Sequence, residues 1–224
     1  MNIRKAVIGC LATVALSTAT AVGAVPITAT GWAYPSGQSV NIQSTSPSKS
    51  INGVGAGGFN TTNGSSNFVS WCVDILQSTF FGQTVNDYTL VNAASVSQIG
   101  AARAATLGQL ATQYLGQVTN STTSAAFQLA IWEIVYESAG NPLTLGTGNF
   151  RASNNANAVN LANSWLTGLS GPSTFSVNVW QSGTRQDLAV FTPVPEPSTL
   201  ALIGLGLLGL GYAQRKKAKK QDAA

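Results

Sequence analysis

The sequence predicts a mixed α+β domain with a strand-rich N-terminal part, a central helical segment and a C-terminal β-hairpin. Three observations support this class. Short β-like pieces lie in a Ser-, Thr-, Asn- and Gly-rich region, three helical patterns follow it, and two alternating segments close the domain. With 44% apolar residues, the 224-residue chain is long enough to bury the core of one such domain.

One strand is well marked in the N-terminal part. Residues 68–75 (FVSWCVDI) are dense in aromatic and β-branched side chains, which is typical of a buried strand. Residues 25–67 are rich in Ser, Thr, Asn and Gly and contain short β-like pieces such as 39–42.

The helical segments and the hairpin follow in order. Residues 93–118 are Ala-rich with apolar residues at helical spacing, and residues 124–138 form a second helical pattern that a Gly-Asn-Pro sequence ends. We expect the cap of this second helix within residues 121–124. A third helix is predicted over 154–169. Residues 174–180 and 186–191 then alternate around a turn, which indicates a hairpin.

Composition excludes several function classes. The chain has no histidine and two cysteines, which excludes a Ser-His-Asp triad, a Cys-His protease pair and a four-cysteine metal site. We therefore expect no metal and no cofactor. The net charge of +4 comes from the two ends, because residues 25–197 hold four basic and six acidic side chains. We expect no nucleic-acid binding from a faintly acidic domain.

The first 24 residues have the pattern of a secretory signal peptide. Arg4 and Lys5 precede the uncharged apolar stretch 6–22, and small residues end at Ala24. We expect a signal peptidase to remove residues 1–24. Cys10 would be lost with them, which leaves one cysteine in the mature protein.

The C-terminal end has a tripartite order: a Pro-Glu-Pro element, an apolar run and a basic cluster. Its members are Pro195, Glu196 and Pro197, then the run 199–212, then the basic stop Arg215, Lys216 and Lys217. The run of about 14 residues is short for a membrane span of roughly 20, but flanking residues can extend it. We predict a transmembrane helix with its basic end in the cytoplasm.

This order closely resembles the PEP-CTERM sorting signal of Gram-negative bacteria. The resemblance implies that an exosortase-type transpeptidase cuts near the Pro-Glu-Pro element. The protein, transiently anchored in the inner membrane, would then reach the cell surface or the extracellular polysaccharide matrix. The two terminal signals divide the chain into a signal peptide (1–24), an exported domain (25–192) and a sorting signal (193–220). An ordinary membrane anchor would not require the Pro-Glu-Pro element.

Cys72 is the only cysteine left after signal removal. A lone thiol in an oxidising compartment has three fates: it is buried and inert, it bridges to another chain, or it is committed to another covalent bond. Composition alone favours the buried, inert thiol.

Gln128 gives the third fate a chemical partner. It stands amid apolar residues near the start of the second predicted helix, and it shares one side of that helix with Trp132, four residues later. An unpaired buried amide costs about 1–3 kcal/mol. Bonding the acyl carbon of Gln128 to a thiol would remove its amide nitrogen altogether.

Residues 71–74 (WCVD) and 128–132 (QLAIW) together resemble the thioester domain of bacterial surface proteins, over roughly residues 66–140. That family has an aromatic-Cys-aliphatic-acidic element and a Thr-Gln-x-Ala-aliphatic-Trp element, and here Phe127 stands in place of the threonine. The resemblance implies that the side chains of Cys72 and Gln128 close an internal thioester with loss of ammonia.

The resemblance implies a covalent adhesion device. A partner's lysine amine or hydroxyl would attack the acyl carbon and expel the thiolate. The protein would act once, so we do not expect an enzyme. Trp71 and Trp132 could shield the bond from water, and Asp74 and Glu133 could polarise it. Ordinary core packing for the tryptophans and solvated surface positions for the acids are equally consistent with the sequence.

Two other function classes stay open. A structural biofilm matrix protein would carry Cys72 merely as a buried residue. An exported glycan hydrolase would need two carboxylates, but the available acids form no pattern that singles out a pair. These acids are Asp74, Asp87, Glu133, Glu137 and Asp187.

Overall fold

The structure is a computed structural model that describes residues 23–195 and 205–208. The predicted signal peptide up to residue 22 lies outside the described residues, as do Glu196, Pro197 and the basic stop from Arg215 to Lys217. Residues 205–208 form one helical turn of the predicted transmembrane segment. Across the described residues, no helix has the length and apolar character that crossing a membrane requires.

The domain from Val25 to Pro193 contains nine strands and three α-helices. In chain order they are β1 (Val25–Trp32), β2 (Gln38–Thr45), β3 (Ser48–Ala56), β4 (Phe59–Thr62), β5 (Asn67–Cys72), β6 (Thr84–Asn92), α1 (Gly100–Tyr114), α2 (Ser121–Tyr136), β7 (Phe150–Ser153), α3 (Ala156–Thr167), β8 (Phe175–Gln181) and β9 (Leu188–Pro193). The mixed α+β class is therefore confirmed.

Six strands close an antiparallel barrel in the order β1-β4-β5-β9-β8-β6. In this order β5 lies beside β9, with Trp71 opposite Ala189 and Cys72 opposite Leu188. The pairing brings the middle of the chain against its C-terminal hairpin, β8–β9. The residues just before β9 therefore lie next to the end of β5.

The other three strands form a separate antiparallel sheet in the order β3-β2-β7. Helix α2 contacts this sheet as well as β5 of the barrel. Every residue from Ser124 to Tyr136 is buried, as expected for a helix that is apolar on nearly all sides. The core of the domain is thus built around α2.

Local sequence signals explain where α2 begins. The Asn120 side chain accepts hydrogen bonds from the main-chain N–H groups of Thr122 and Thr123, and the Thr123 hydroxyl returns a capping interaction to Asn120. The helix begins at Ser121, three residues before the predicted start at residue 124, and its cap Asn120 lies one residue before the predicted cap range 121–124. Such a reciprocal cap satisfies N–H groups that the first turn leaves free.

The sequence-based elements need two further corrections. The helix predicted over 93–118 is interrupted: a short 3-10 helix (Ala93–Ser95) precedes α1, which begins at Gly100. Gly100 has a φ of +68°, a conformation that glycine adopts without strain. The region 25–67, in which the sequence indicated only short β-like pieces such as 39–42, forms the four strands β1 to β4. Thr61 of β4 is buried in the barrel, where its Oγ1 lies 2.6 Å from Ser70 Oγ of β5 in a hydrogen bond.

Candidate functional site

Cys72 is the last residue of β5, and its side chain is 3% exposed. Burial raises the pKa of its thiol well above the usual range, and the charge of Asp74 adds to this effect. The thiol is therefore held in its neutral form. A sulfur this deeply buried cannot form a disulfide with a second copy unless the domain opens.

The side chain of Gln128 on α2 makes two hydrogen bonds to the main chain of Cys72. Gln128 Oε1 accepts a hydrogen bond from the N–H of Cys72 at 2.9 Å, and Gln128 Nε2 donates to the carbonyl oxygen of Cys72 at 2.7 Å. The side chain is fully buried. Both ends of this amide are thus committed to the backbone of the cysteine, and the sulfur has another neighbour.

That neighbour is Gln186, which lies just before β9. The Cys72 thiol donates to Gln186 Oε1, with a separation of 2.9 Å between sulfur and oxygen. Gln186 Nε2 donates to the main-chain carbonyl of Asp74, and the main-chain carbonyl of Gln186 accepts from the hydroxyl of Tyr88 at 2.7 Å. Three contacts therefore fix this glutamine, which is 8% exposed, against the thiol.

Sequence reasoning placed Gln186 at the start of a hairpin strand and assigned it no role. The only signal was a glutamine directly ahead of a buried strand. That signal gains meaning only when β9 is known to pair with β5, a contact between segments far apart in the chain. The structure brings Cys72, Gln128 and Gln186 together, with one glutamine on each side of the cysteine.

The four residues predicted to support the site have different surroundings. Trp71 packs against Phe127, with 4.7 Å between the ring centroids, and is fully buried. Asp74 accepts a hydrogen bond from the N–H of Leu76 at 2.6 Å, so its carboxylate shapes the loop after β5. Trp132 lines the same cleft as Cys72.

Glu133 is fully buried, and its Oε1 accepts from the N–H of Thr144 at 2.7 Å. Burial raises its pKa to about 8, although the bond from Thr144 opposes the rise and the charge of Glu137 adds to it. Its hydrogen bond is made to the loop after α2. Glu133 is thus a buried acid of the core and does not occupy the solvated surface position that the sequence left open.

Glu137, one of the acids that a two-carboxylate site could use, makes local hydrogen bonds. Glu137 accepts hydrogen bonds from the N–H groups of Ser138 and Asn149, both at 2.8 Å, and from the side chain of Asn141 at 2.6 Å. Burial tends to raise its pKa, but these bonds outweigh it and the pKa is lowered. Its carboxylate is occupied in holding the loop that joins α2 to β7.

A cleft of about 260 Å³ lies between the barrel and the three-stranded sheet. Cys72 and Gln186 line it, together with aromatic side chains that include Trp32, Phe81 and Trp132. Trp32 and Phe81 meet edge to face, with 5.2 Å between their centroids. The thiol and the carboxamide that faces it therefore lie at the wall of an aromatic cleft, and a small group could enter there.

Comparison with known proteins finds a family model that matches the C-terminal end of the chain. Residues 193–217 match the PEP-CTERM protein-sorting motif. The match confirms the sorting signal predicted from the Pro-Glu-Pro element, the apolar run and the basic cluster. A motif of this class implies processing by an exosortase-type system and sorting to the cell surface.

Among solved structures, the domain is similar to the N-terminal thioester domain of a surface protein from Clostridium perfringens, solved as a cysteine-to-alanine mutant. The two share 11% sequence identity, and the likeness covers 69% of this chain and 99% of the other, with a TM-score of 0.44. No curated protein matches the chain.

Proposed function

We propose that this chain is an exported surface protein whose domain closes an internal thioester between Cys72 and Gln186 and uses it to attach covalently to a partner. The observation that carries the proposal is the 2.9 Å contact between the Cys72 sulfur and Gln186 Oε1. Both side chains are buried and fixed by further contacts. A thiol and an acyl group held this way need little further ordering to react.

The chemistry is acyl transfer within the chain. Cys72 Sγ adds to the side-chain acyl carbon of Gln186, the thiol proton moves to the amide nitrogen, the C–N bond breaks and ammonia leaves. When a partner's amine adds to the same carbon, the C–S bond breaks and the sulfur recovers a proton. An amide then joins the two proteins. The protein is consumed as the electrophile, so it is not a turnover enzyme.

Gln128 acts in this proposal as a positioning residue. Its two hydrogen bonds to the main chain of Cys72 fix the end of β5 on α2. A thioester between Cys72 and Gln128, the pairing that the sequence suggested, would require both bonds to break and the side chain to turn toward the sulfur. The geometry favours Gln186, and mapping of the cross-linked residue distinguishes the two assignments.

The sorting motif sets where this chemistry would be used. After signal peptidase removes residues 1–24, the C-terminal helix would hold the chain in the inner membrane until an exosortase-type transpeptidase cuts near Pro195. The released domain would act in adhesion at the surface of a Gram-negative cell or in its biofilm matrix. Its covalent partner would present a lysine amine or a hydroxyl.

Intact mass spectrometry of the mature, non-reduced protein tests the proposal. We expect a mass lower than the unmodified chain by one ammonia, and a methylamine adduct that peptide mapping places on Gln186. Cys72→Ala should show neither. A full mass with a thiol that titrates on unfolding would instead indicate a matrix protein with an inert buried cysteine. An adduct on Gln128 would support the pairing suggested by the sequence.

A further inference from the structure

Three residues that line the cleft each have a buried side-chain polar atom with no hydrogen-bond partner among the described residues. These atoms are Trp132 Nε1, Gln77 Oε1 and Thr79 Oγ1. Folded proteins leave few buried polar atoms unpaired, because each one costs about 1–3 kcal/mol. Three such atoms in the cleft that Cys72 and Gln186 also line indicate that a polar group outside the resting protein binds there.

The three atoms differ in what they can bind. Gln77 Oε1 only accepts hydrogen bonds, the hydroxyl of Thr79 can accept or donate, and the indole N–H of Trp132 only donates. Trp132 is 1% exposed, so bulk water does not reach it freely. The partner missing at Trp132 must therefore be an acceptor, and a negatively charged oxygen would be the strongest.

Such an oxygen forms during the proposed reaction. Whenever the bond between Cys72 Sγ and the acyl carbon of Gln186 is made or broken, that carbon becomes tetrahedral and its oxygen carries negative charge. A donor already in place stabilises this oxygen without reorganisation at the moment of reaction. The chain has no histidine that could serve.

Two main-chain donors at the end of β5 are already used. The N–H of Cys72 donates to Gln128 Oε1 at 2.9 Å, and the N–H of Val73 donates to the main-chain carbonyl of Asp187 at 2.9 Å. The amide nitrogen of Gln186 leaves as ammonia in the first step. Trp132 Nε1 and the Thr79 hydroxyl are buried donors without a partner at the cleft, and of the two only the indole N–H has no acceptor capacity to be satisfied in another way.

We infer that Trp132 Nε1 donates the hydrogen bond that stabilises the oxyanion at the acyl carbon of Gln186. The inference rests on the proposed thioester. Helix α2 supplies both parts of the arrangement: Gln128 clamps the main chain of Cys72, and Trp132, one turn later on the same helix, is thereby fixed relative to the reacting strand. The indole of Trp132 would therefore raise the rate at which the thioester reacts, in addition to packing in the core.

Trp132→Phe tests the inference because it keeps a buried aromatic ring and removes only the donor. With purified thioester protein, we expect the rate of methylamine adduct formation to fall by about 100-fold or more, the range seen when one oxyanion donor is lost. The melting temperature should change little. Trp165→Phe is the matched control, because Trp165 is also buried but packs against Tyr114 away from the cleft. Its rate should equal that of the wild type.

A second measurement covers the case in which Trp132→Phe does not fold. Indole N–H signals of the 15N-labelled wild-type protein, assigned by Trp→Phe variants at the four other tryptophans, should show the Trp132 signal moving on methylamine addition. An unmoved signal would overturn the inference, as would an unchanged rate in Trp132→Phe. A rate loss in Thr79→Val with no loss in Trp132→Phe would overturn the inference and assign the role to the hydroxyl of Thr79. If the wild type carries no thioester, the proposed function fails, and this inference fails with it.

Discussion

Cys72 has a glutamine on each side, and the two sides do different work. On the helix side, Gln128 is 56 residues away in the chain and binds only the main chain of Cys72. On the hairpin side, Gln186 is 114 residues away and meets the sulfur. In the proposed reaction, the same side-chain type would hold the nucleophile in one place and supply the electrophile in the other, according to which atom of Cys72 it contacts.

Hydrogen bonding accounts for the difference in expected reactivity. Gln128 Oε1 accepts from a main-chain N–H, a good donor, whereas Gln186 Oε1 accepts from a thiol, a weak one. The carboxamide of Gln186 is therefore the less tightly satisfied of the two. Attack on Gln186 disrupts one weak bond at the oxygen and, as ammonia leaves, the bond from Nε2 to the carbonyl of Asp74. Attack on Gln128 would leave both the N–H and the C=O of Cys72 unpaired in the core.

The largest expected effect comes from removing the hairpin-side glutamine. Gln186→Ala should abolish both the ammonia deficit and the methylamine adduct, because no acyl carbon is left beside the sulfur. Intact mass spectrometry and thiol titration under denaturing conditions measure this directly. Gln128→Ala, the comparison variant, should keep a detectable deficit. The reverse outcome would exchange the roles of the two glutamines.

The next largest effect concerns the helix side and stability. Gln128→Ala leaves the buried N–H and C=O of Cys72 unpaired, so we expect a loss of about 2–5 kcal/mol in the free energy of unfolding. Denaturant titration in a Cys72→Ala background removes any contribution of the thioester. Gln117→Ala is the control, because Gln117 is exposed and should change stability by less than about 0.5 kcal/mol. A loss equal to the control would mean that the clamp is not structural.

The same two sides show what the sequence alone can predict. Helix α2 is defined by local signals, namely its apolar run and its polar cap, so the helix and its glutamine could be predicted from the sequence. The hairpin could be predicted as well. The strand that pairs with the hairpin could not be predicted, because the pairing of β9 with β5 joins segments that no short-range pattern connects. The role of Gln186 was missed for this reason.

The sequence predicted a strand-rich N-terminal part, but the bounds of its individual strands could not be predicted, for a different physical reason. Strand prediction depends on apolar alternation, but β1 to β4 carry many Ser, Thr and Asn residues. Inside the barrel, hydroxyl pairs such as Thr61 and Ser70 replace apolar contacts. A polar side chain that is satisfied by a neighbouring strand cannot be told from a loop residue until the strand order is known.

A smaller effect concerns the pH dependence of folding stability, which should differ between the helix side and the hairpin side. The folded-state pKa of Glu133 on α2 is about 8, above the ordinary value of 4.5, so folding favours its neutral form. The stability that this form contributes is fully present below the unfolded pKa and is lost as pH rises through about 8. The melting temperature of the wild type should therefore fall more between about pH 5 and pH 8 than that of Glu133→Gln. Equal slopes would show that Glu133 is already charged in the fold.

The smallest effect should lie on the hairpin side, with the opposite sign. Asp87 of β6 accepts hydrogen bonds from Ser182 Oγ at 2.6 Å and Thr184 Oγ1 at 3.1 Å, and these bonds lower its pKa although partial burial opposes them. Its contribution is present above the unfolded pKa and is lost as pH falls through the folded value. Asp87→Asn should thus destabilise the domain slightly at neutral pH and not at all in strong acid.

The test of this last prediction is the effect on the turn that carries Gln186. If Asp87 orders that turn, Asp87→Asn should slow thioester formation only a few-fold, measured as recovery of the ammonia deficit after refolding from acid. Ser182→Ala removes the same hydrogen bond from the other side, and the double variant should be no slower than either single variant. Additive losses would show that the two residues act separately. In that case Gln186 would be held by its own contacts to Asp74 and Tyr88 alone.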